Sequence, residues 1–220
     1  MKLERYIEKC NKIISNEGII VFCKKAFKYT AAKTFRVNRM IIYELNIINP
    51  VKSIVPSIDL NFIMASEKDI DSMDEDQYGY DEKAKIYSKE GLSRGDVCVL
   101  AYHEDRIVGY ISYMKDRMEL SEGNFIEISA RMSYLYKGFV LEEFRGNRIL
   151  GALINYQIQM LKRIGKKFLV YTVSTKNISS IKATERIGFK RVGSIIQVRL
   201  LGLKYDYISR KDLGYLQGVW

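Results

Sequence analysis

Hydrophobic and polar positions follow two different spacings along the chain, and the changes between them predict its strands and helices. Short apolar runs rich in Val, Ile, Tyr and Phe predict strands, whereas apolar residues spaced three and four apart predict helices. After residue 57 the predicted strands are Leu60–Met64, Val97–Tyr102, Ile107–Met114, Phe125–Val140, Phe168–Val173, Phe189–Gly193 and Ile195–Leu203. The predicted helices begin at Ser66, as an N-cap, and span Glu82–Leu92, Asn147–Ile164 and Asn177–Arg186.

The order of these elements predicts an α/β fold, more closely an α+β arrangement on a mixed sheet. Val97–Tyr102 and Ile107–Met114 are joined by four polar residues, which is typical of an antiparallel hairpin. A helix joins Phe125–Val140 to Phe168–Val173, and such a crossover makes the two strands parallel.

The first quarter of the chain has a different character. Helices are predicted over residues 3–15 and 19–35, followed by a strand at Arg39–Ile48 and a connector that ends near Ser57. The predicted domains are therefore a basic extension, residues 1–57, and a main domain, residues 58–220.

The positive charge of the chain is concentrated in that extension. Residues 1–57 contain eleven Lys or Arg, four Glu and no Asp, so they carry +7 of the net charge of +10. A lysine-rich helix with an apolar side can bind an acidic bilayer surface. Peripheral contact with an anionic membrane is one hypothesis for this segment, and packing on the main domain is the other. Nucleic-acid binding is disfavoured because no motif supports it.

Several features predict a cytoplasmic protein without a metal. No apolar run is long enough to cross a bilayer, and the charged start is unlike a secretory signal. The three cysteines, Cys10, Cys23 and Cys98, are scattered, so we expect reduced thiols. Metal-ligand spacing is absent from the sequence.

The segment YLYKGFVLEEFRGNRI carries the clearest sign of chemistry. An apolar strand there runs into Arg145-Gly146-Asn147-Arg148, and a helix follows. The first turn of a helix has unpaired N–H groups and a partial positive charge, which together bind phosphate. The pattern predicts a site for a phosphate-bearing cofactor.

Four segments in sequence resemble the GNAT acetyltransferase superfamily. They are DLNFIMASEKDID, GDVCVLAYHEDRIVGYISYM, FVLEEFRGNRI and NISSIKATERIGFKRVG, and the resemblance covers about residues 58–203. It implies a GNAT-like fold that uses acetyl-CoA, or another acyl-CoA, as co-substrate.

The resemblance also implies which residues hold the cofactor. The backbone near Phe139 and Val140 would hold the pantetheine arm, and the N–H of Val140 would polarise the acyl carbonyl. The pyrophosphate would be held by N–H groups of the turn, and Asn177 would orient the cofactor arm. The turn residues are Arg145, Gly146, Asn147, Arg148, Ile149, Leu150 and Gly151.

The chain departs from the family pattern at three positions. Arg148 and Leu150 stand where two later glycines are usual. Their side chains either restrict the approach of the phosphate or, for Arg148, pair with it. Thr184 stands where many relatives have a tyrosine that protonates the leaving thiolate, so that proton is expected to come from water.

The general base is open in the sequence. Glu127, the nearest carboxylate before the turn, lies at the start of the predicted strand with opposite parity to Val140. Tyr134 and Tyr136 share the parity of Val140, so they either shape the cleft or, for Tyr136, act as base. An ordered water is the other candidate. Glu127, Tyr134 and Tyr136 are the candidate catalytic residues.

The predicted function is N-acyltransfer from acyl-CoA, most simply acetyl-CoA, by direct attack of an amine. The acceptor is a small-molecule amine, an amino sugar or a peptide amine, and a homodimer fits the family. The alternative is a catalytically degenerate GNAT domain that acts as a binding module, attached to an anionic membrane surface through residues 1–57.

Overall fold

The computed structural model describes residues 15, 18–21, 35–121, 124–200 and 203–209. The helices predicted over residues 3–15 and 19–35 therefore lie almost wholly outside the described residues, as do Cys10 and Cys23. Cys98 is buried as a free thiol. In the part of the chain that is described, no helix is long and apolar enough to span a bilayer.

Ten strands and five α-helices lie wholly within the described residues. The strands are β1 (Phe35–Asn46), β2 (Asn61–Met64), β3 (Val97–His103), β4 (Arg106–Met114), β5 (Arg117–Ser121), β6 (Asn124–Glu127), β7 (Met132–Val140), β8 (Phe168–Ser174), β9 (Lys190–Leu200) and β10 (Leu203–Ser209). The helices are α1 (Glu67–Ser72), α2 (Glu75–Tyr78), α3 (Glu82–Ser93), α4 (Ile149–Arg163) and α5 (Ile178–Ile187). A 3-10 helix, Glu142–Phe144, precedes α4.

The chain divides into two compact units, which differ from the division expected at residue 57. The larger unit is Met40–Ile195 with Ile208–Trp220, and the smaller is Met1–Arg39 with Ile196–Tyr207. In the smaller unit the Asn38 amide donates to Oε1 of Gln197 at 2.8 Å. The division into an extension, residues 1–57, and a main domain, residues 58–220, stays a prediction.

The sheet of the larger unit is mixed, as predicted. Its strands lie in the order β9-β1-β8-β7-β4-β3-β2, with β5 and β6 forming a separate two-stranded sheet. β7 and β8 are parallel, whereas the pairs β2/β3, β3/β4, β4/β7 and β1/β8 are antiparallel. The central strands carry apolar residues on both faces, because helices pack on each side.

Side chains that accept hydrogen bonds from the first turn begin four of the helices. Ser66 and Asp69 form a capping box at α1, which confirms the predicted helix start, and Asp74, Asp81 and Asn177 cap α2, α3 and α5. The acidic segment after Ser66 therefore forms two short helices, α1 and α2. α4 begins without a side-chain cap.

The two faces of the sheet have separate apolar cores. Ile149, Leu153 and Leu161 of α4 pack with Leu135 and Tyr171 on one face. The opposite face holds two clusters, one around Met114, Tyr134 and Tyr136, the other around Ile70, Leu100 and Tyr110. We call these the α4 face and the α3 face, since α3 packs against β3.

Three sequence-based expectations about strands are wrong. The single strand expected at Phe125–Val140 is two strands, β6 and β7, because the chain turns at Ser129–Arg131. No strand is predicted between Met114 and Phe125, but this segment contains β5, which pairs with β6. Gly193 does not end a strand, since β9 runs through it.

Candidate active site

The carboxyl ends of β7 and β8 separate from each other inside the sheet. Their parallel pairing runs from Met132 opposite Phe168 to Leu135 opposite Tyr171, and no later pair is formed. β7 nevertheless continues to Val140, paired with β4, and β8 continues to Ser174, paired with β1. The two strands therefore enclose a gap whose backbone edges lack a strand partner.

A β-bulge in β7 lies beside this gap. Tyr136 is opposite Ser112 and Phe139 is opposite Tyr110, so three steps along β7 match two along β4. Lys137, within the bulge, has a left-handed backbone with φ of 48°. Such a conformation is costly for a residue with a side chain and is found at functional sites more often than elsewhere.

The bulge overturns the parity argument made for an unbulged strand. Tyr134 and Tyr136 pack on the α3 face, whereas Val140 packs on the α4 face. The extra residue between Tyr136 and Phe139 reverses the alternation, so the tyrosines do not share a face with Val140.

The turn before α4 presents a run of free backbone donors. Gly146 has φ of 92° and Arg148 has φ of 61°, and α4 begins at the next residue. Within the described chain, no N–H group of residues 146–151 donates a hydrogen bond to another protein group. Six successive donors at a helix N-terminus form the arrangement that binds a phosphate group.

The two arginines of the turn differ in their contacts. Nε of Arg145 donates to the carbonyl of Val140 at 3.4 Å, and its guanidinium lies 3.6 Å from Glu142. Arg148 is exposed and makes no described contact with another side chain. Both guanidinium groups thus belong to the turn, and of the two only that of Arg145 is hydrogen-bonded to the end of β7.

The other turn residues have structural contacts that the sequence does not reveal. The Asn147 amide donates to the carbonyl of Phe144, and the carbonyl of Asn147 accepts from the N–H of Ser57. Ile149 is buried in the core of the α4 face. A side chain on Gly151 would meet Ile54 at 2.8 Å, so this glycine allows the chain near residue 54 to cross α4.

Leu150, the residue in place of a usual glycine, packs partly into the core of the α4 face. Its Cδ1 atom would lie 3.2 Å from a Cβ added to Gly138. The leucine side chain is therefore directed towards β7, and its N–H remains among the free donors of the turn.

The two candidate tyrosines are buried and hydrogen-bonded. The Tyr134 hydroxyl and Oγ1 of Thr172 are 2.6 Å apart and join β7 to β8 where their pairing ends. The Tyr136 hydroxyl donates to Asp96 at 3.1 Å. Burial raises the pKa of both phenols above the ordinary value, so both keep their protons at neutral pH.

Glu127 lies on β6 of the two-stranded sheet, whereas the two tyrosines lie on β7 of the large sheet. It is an exposed residue at the end of β6, opposite Arg117 on β5. The sequence placed it on the same strand as Tyr134 because the turn at Ser129–Arg131 carries no Gly or Pro to mark it. Its catalytic role stays a prediction.

Asn177 stands just beyond the carboxyl end of β8, on the side where the gap opens. Its Oδ1 atom accepts from the N–H of Ser180 at 3.1 Å and from the Ser179 hydroxyl at 2.9 Å. These bonds begin α5, so the residue has a structural task besides the predicted contact with a cofactor arm. Thr184, further along α5, is buried.

Sequence reasoning missed a polar cluster on the α3 face. Asp96 forms a buried ion pair with Arg117 at 2.6 Å and also accepts from Tyr136. Lys137 places its ammonium group between the rings of Tyr80 and Tyr87. The only local signal was the Lys137-Gly138 pair, which interrupts an otherwise apolar run.

The described side chains contain no group of three or more His, Cys, Asp or Glu residues that could hold a metal ion. The acidic residues named above, Asp96 and Glu142, pair with arginines instead.

These features, a gap inside a mixed sheet beside a turn of free backbone donors, agree with the comparison with protein families. The model of the Acetyltransferase (GNAT) family matches residues 61–189. The chain belongs to this family, and the resemblance seen in the sequence is confirmed.

Solved structures support the fold. An X-ray structure of a Drosophila protein is similar with a TM-score of 0.57 and 13% identity, over 82% of this chain and 58% of that one. A GNAT-family acetyltransferase from Colwellia psychrerythraea has a TM-score of 0.53 and 15% identity, over 82% and 61%. A GCN5-related N-acetyltransferase from Sphaerobacter thermophilus has a TM-score of 0.55 and 14% identity, over 86% and 58%.

The chain spans about three fifths of the length of these similar structures. Curated proteins gave no matching sequence. The GNAT fold is therefore established for the chain, whereas its activity and its acceptor belong to the proposal that follows.

Proposed function

We propose that the protein transfers an acyl group, most simply acetyl, from acyl-CoA to an amine. The observation that supports this most strongly is the gap between β7 and β8, which opens next to the free donors of residues 146–151. A long cofactor with a pyrophosphate at one end and a thioester at the other fits this combination.

The residues present suit acetyl-CoA as co-substrate. The N–H groups of residues 146–151 would hold the pyrophosphate, with Arg145 and Arg148 adding positive charge. The backbone of β7 at Phe139 and Val140 borders the gap and has no partner from β8. The N–H of Leu141 donates to Val108 of β4, so the N–H of Phe139 points to β4 and that of Val140 points to the gap. The N–H of Val140 is therefore free to hydrogen-bond the pantetheine arm as an additional strand would.

The reaction needs an amine placed against the acyl carbonyl. Binding both in the gap supplies proximity, which contributes a large part of the rate enhancement in such transfers. As the amine attacks, negative charge develops on the carbonyl oxygen, and a β7 N–H such as that of Val140 would stabilise it. The C–S bond then breaks, and the thiolate leaves.

The proton of the attacking amine most readily passes to water. Tyr136 is a poor base, because burial raises its pKa and its hydroxyl already donates to Asp96. Glu127 is exposed on β6, outside the paired segment of β7. Of the two alternatives that the sequence left open, an ordered water is therefore favoured over Tyr136.

The acceptor approaches from the α3 face in this proposal. α4 packs across the other face of the sheet at the gap, with Ile149 and Leu150 against β7 and β4. The α3 face is bordered by the acidic residues of α1 and α2, among them Asp74, Glu75 and Asp76. These carboxylates favour a positively charged acceptor, such as a small-molecule amine, an amino sugar or a peptide amine.

The test is ligand-dependent stability followed by turnover. Acetyl-CoA at about 100 times its dissociation constant should stabilise the fold by about 2.7 kcal/mol, and the melting temperature should rise. Thiol release with a panel of amines then identifies acceptors. An unchanged melting temperature at saturating acetyl-CoA would contradict the proposal and favour a domain that acts only as a binding module.

A further inference from the structure

Lys137 combines features that the proposed reaction has not used. It lies two residues after the last pair between β7 and β8, in the bulge that borders the gap. Its backbone has φ of 48°, although its neighbour Gly138 could adopt such a conformation at lower cost. The sheet therefore holds Lys137 in a strained backbone conformation beside the gap that is proposed to admit the thioester.

The ammonium group is enclosed on the α3 face without an acidic partner. Nζ donates to the Ser88 hydroxyl at 3.1 Å and to the carbonyl of Ala84 at 3.4 Å. It lies 4.3 Å from the ring centre of Tyr87 and 5.4 Å from that of Tyr80. Among the described carboxylates, none lies within ion-pair distance of it.

Other lysines of the same region show what an ordinary arrangement looks like. Lys89 of α3 pairs with Asp71 at 2.8 Å, and the ammonium group of Lys85 donates to the carbonyl of Asp71. Both lie on the side of α3 that faces α1, whereas Lys137 approaches α3 from the sheet. Unlike Lys85 and Lys89, Lys137 is enclosed between α3 and the sheet.

Burial of the ammonium group increases the share of Lys137 that is in the neutral form. Burial lowers its pKa, although Glu119 on β5, Asp81 at the start of α3 and Cys98 on β3 act in the opposite direction. A lowered pKa increases the fraction of neutral amine, which is the form that attacks a carbonyl. Tyr136 beside it stays protonated and does not compete for the acyl group.

We infer that Lys137 is a self-acylation site, which accepts the acyl group of a bound acyl-CoA when no amine acceptor is present. The inference rests on the proposed function, because acyl-CoA supplies the acyl group. The neutral Nζ attacks the thioester carbonyl, a C–N bond forms and the C–S bond breaks. CoA leaves as the thiol, having gained the proton that the amine loses, and no oxidant or reductant is needed.

Acylation would change the α3 face of the gap. The modified side chain loses its charge, and the amide no longer fits between two tyrosine rings that favour a cation. It is also longer by the acyl group, so it occupies space that an acceptor needs. Transfer to external amines should therefore decline as Lys137 becomes modified.

The experiment incubates the full chain with acetyl-CoA alone and measures acetylation of individual lysines by peptide mass spectrometry. Lys83, an exposed residue of α3, is the internal control, because purely chemical acetylation follows exposure. We expect Lys137 to react at least about ten times faster than Lys83, since a bound thioester has a high effective concentration. Excess free CoA should suppress the reaction at Lys137 and leave Lys83 unchanged.

The melting temperature with acetyl-CoA, measured on the same sample, separates the two proposals. A rise in melting temperature with Lys137 unmodified, or modified no faster than Lys83, overturns the self-acylation site and leaves the transferase proposal in place. No rise and no modification overturn both. Lys137→Arg should abolish the CoA-sensitive acetylation, and the site is also rejected if that signal persists or if CoA fails to suppress the reaction at Lys137. The wild-type comparison stands by itself if the variant does not fold.

Discussion

Charge reversal in the turn before α4 should weaken CoA binding, and more strongly at Arg145 than at Arg148. The guanidinium of Arg145 is held near the end of β7 by Val140 and Glu142. Arg148 extends into solvent and would have to be ordered before it pairs with a phosphate. The two substitutions, Arg145→Glu and Arg148→Glu, change charge equally and differ in this geometry.

The magnitude follows from simple electrostatics. Two unit charges about 4 Å apart in a water-like environment interact with about 1 kcal/mol. Arg145→Glu removes one attraction and adds one repulsion, so about 2 kcal/mol, or about a 30-fold higher Kd, is expected. For Arg148→Glu we expect about half that energy, or about five-fold, because ordering an exposed side chain offsets part of the attraction.

Isothermal titration calorimetry with CoA measures these changes, and Lys162→Glu provides the control. Lys162 lies in the last turn of α4, about 20 Å from the phosphate turn at 1.5 Å per residue. That distance exceeds the screening length of about 8 Å at physiological salt, so its effect should stay under about two-fold. Equal losses at Arg145 and Arg148, a larger loss at Arg148, or an equal loss at Lys162 would refute the proposed geometry of the turn.

Four further predictions test separate parts of the structure. Arg148→Gly should raise the free energy of unfolding in urea by about 1 kcal/mol, because glycine adopts a φ of 61° without strain. The same variant should bind CoA more weakly because it lacks the charge, and an unchanged free energy of unfolding would contradict the left-handed backbone at this residue. Gly151→Ala should destabilise the fold by about 1–3 kcal/mol through overlap with Ile54, and Ile54→Ala in the same chain should reverse part of the loss; additive losses would contradict that contact. Burial lowers the pKa of Lys137 in the folded protein, so between that lowered pKa and 10.5 the unfolded chain binds more protons than the folded chain. The wild-type protein should therefore gain stability relative to Lys137→Met as the pH rises through that range. A stability difference that does not depend on pH would show that the pKa of the lysine is unperturbed. Under the hypothesis that residues 1–57 attach to a membrane surface, the protein should sediment with anionic vesicles at low salt, less so after Lys24→Glu and Lys25→Glu but not after Lys162→Glu. Equal binding by all variants would exclude that attachment and favour packing of the segment on the main domain.

The order of the main elements could be predicted because each depends on local patterns. Ser66 and Asp69 begin α1 with a capping box that is visible in the sequence, and the side chain of Asn177 caps α5. The phosphate turn could be placed because Arg145 and Gly146 separate an apolar strand from a helical pattern. Such signals lie within a few residues of the structure that they specify.

The features that the sequence did not reveal depend on contacts between distant segments. The bulge at Lys137 is defined by the register with β4, and it decides which face Tyr136 and Val140 occupy. Gly151 is a close-packing position only because Ile54, nearly a hundred residues earlier, lies against it. Asp96 and Tyr136 are bonded across 40 residues, so neither position alone indicates the pair.

The proposed function depends on the binding of the CoA pyrophosphate by the N–H groups of residues 146–151. Nitrogen-15 NMR of the amides measures this directly, since a phosphate hydrogen bond shifts the amide proton of the donor. We predict that adding CoA shifts the amide signals of Gly146 and Gly151 strongly, with Gly165 at the far end of α4 unchanged. Saturation with CoA that leaves Gly146 and Gly151 unshifted, while amides elsewhere move, would contradict the account.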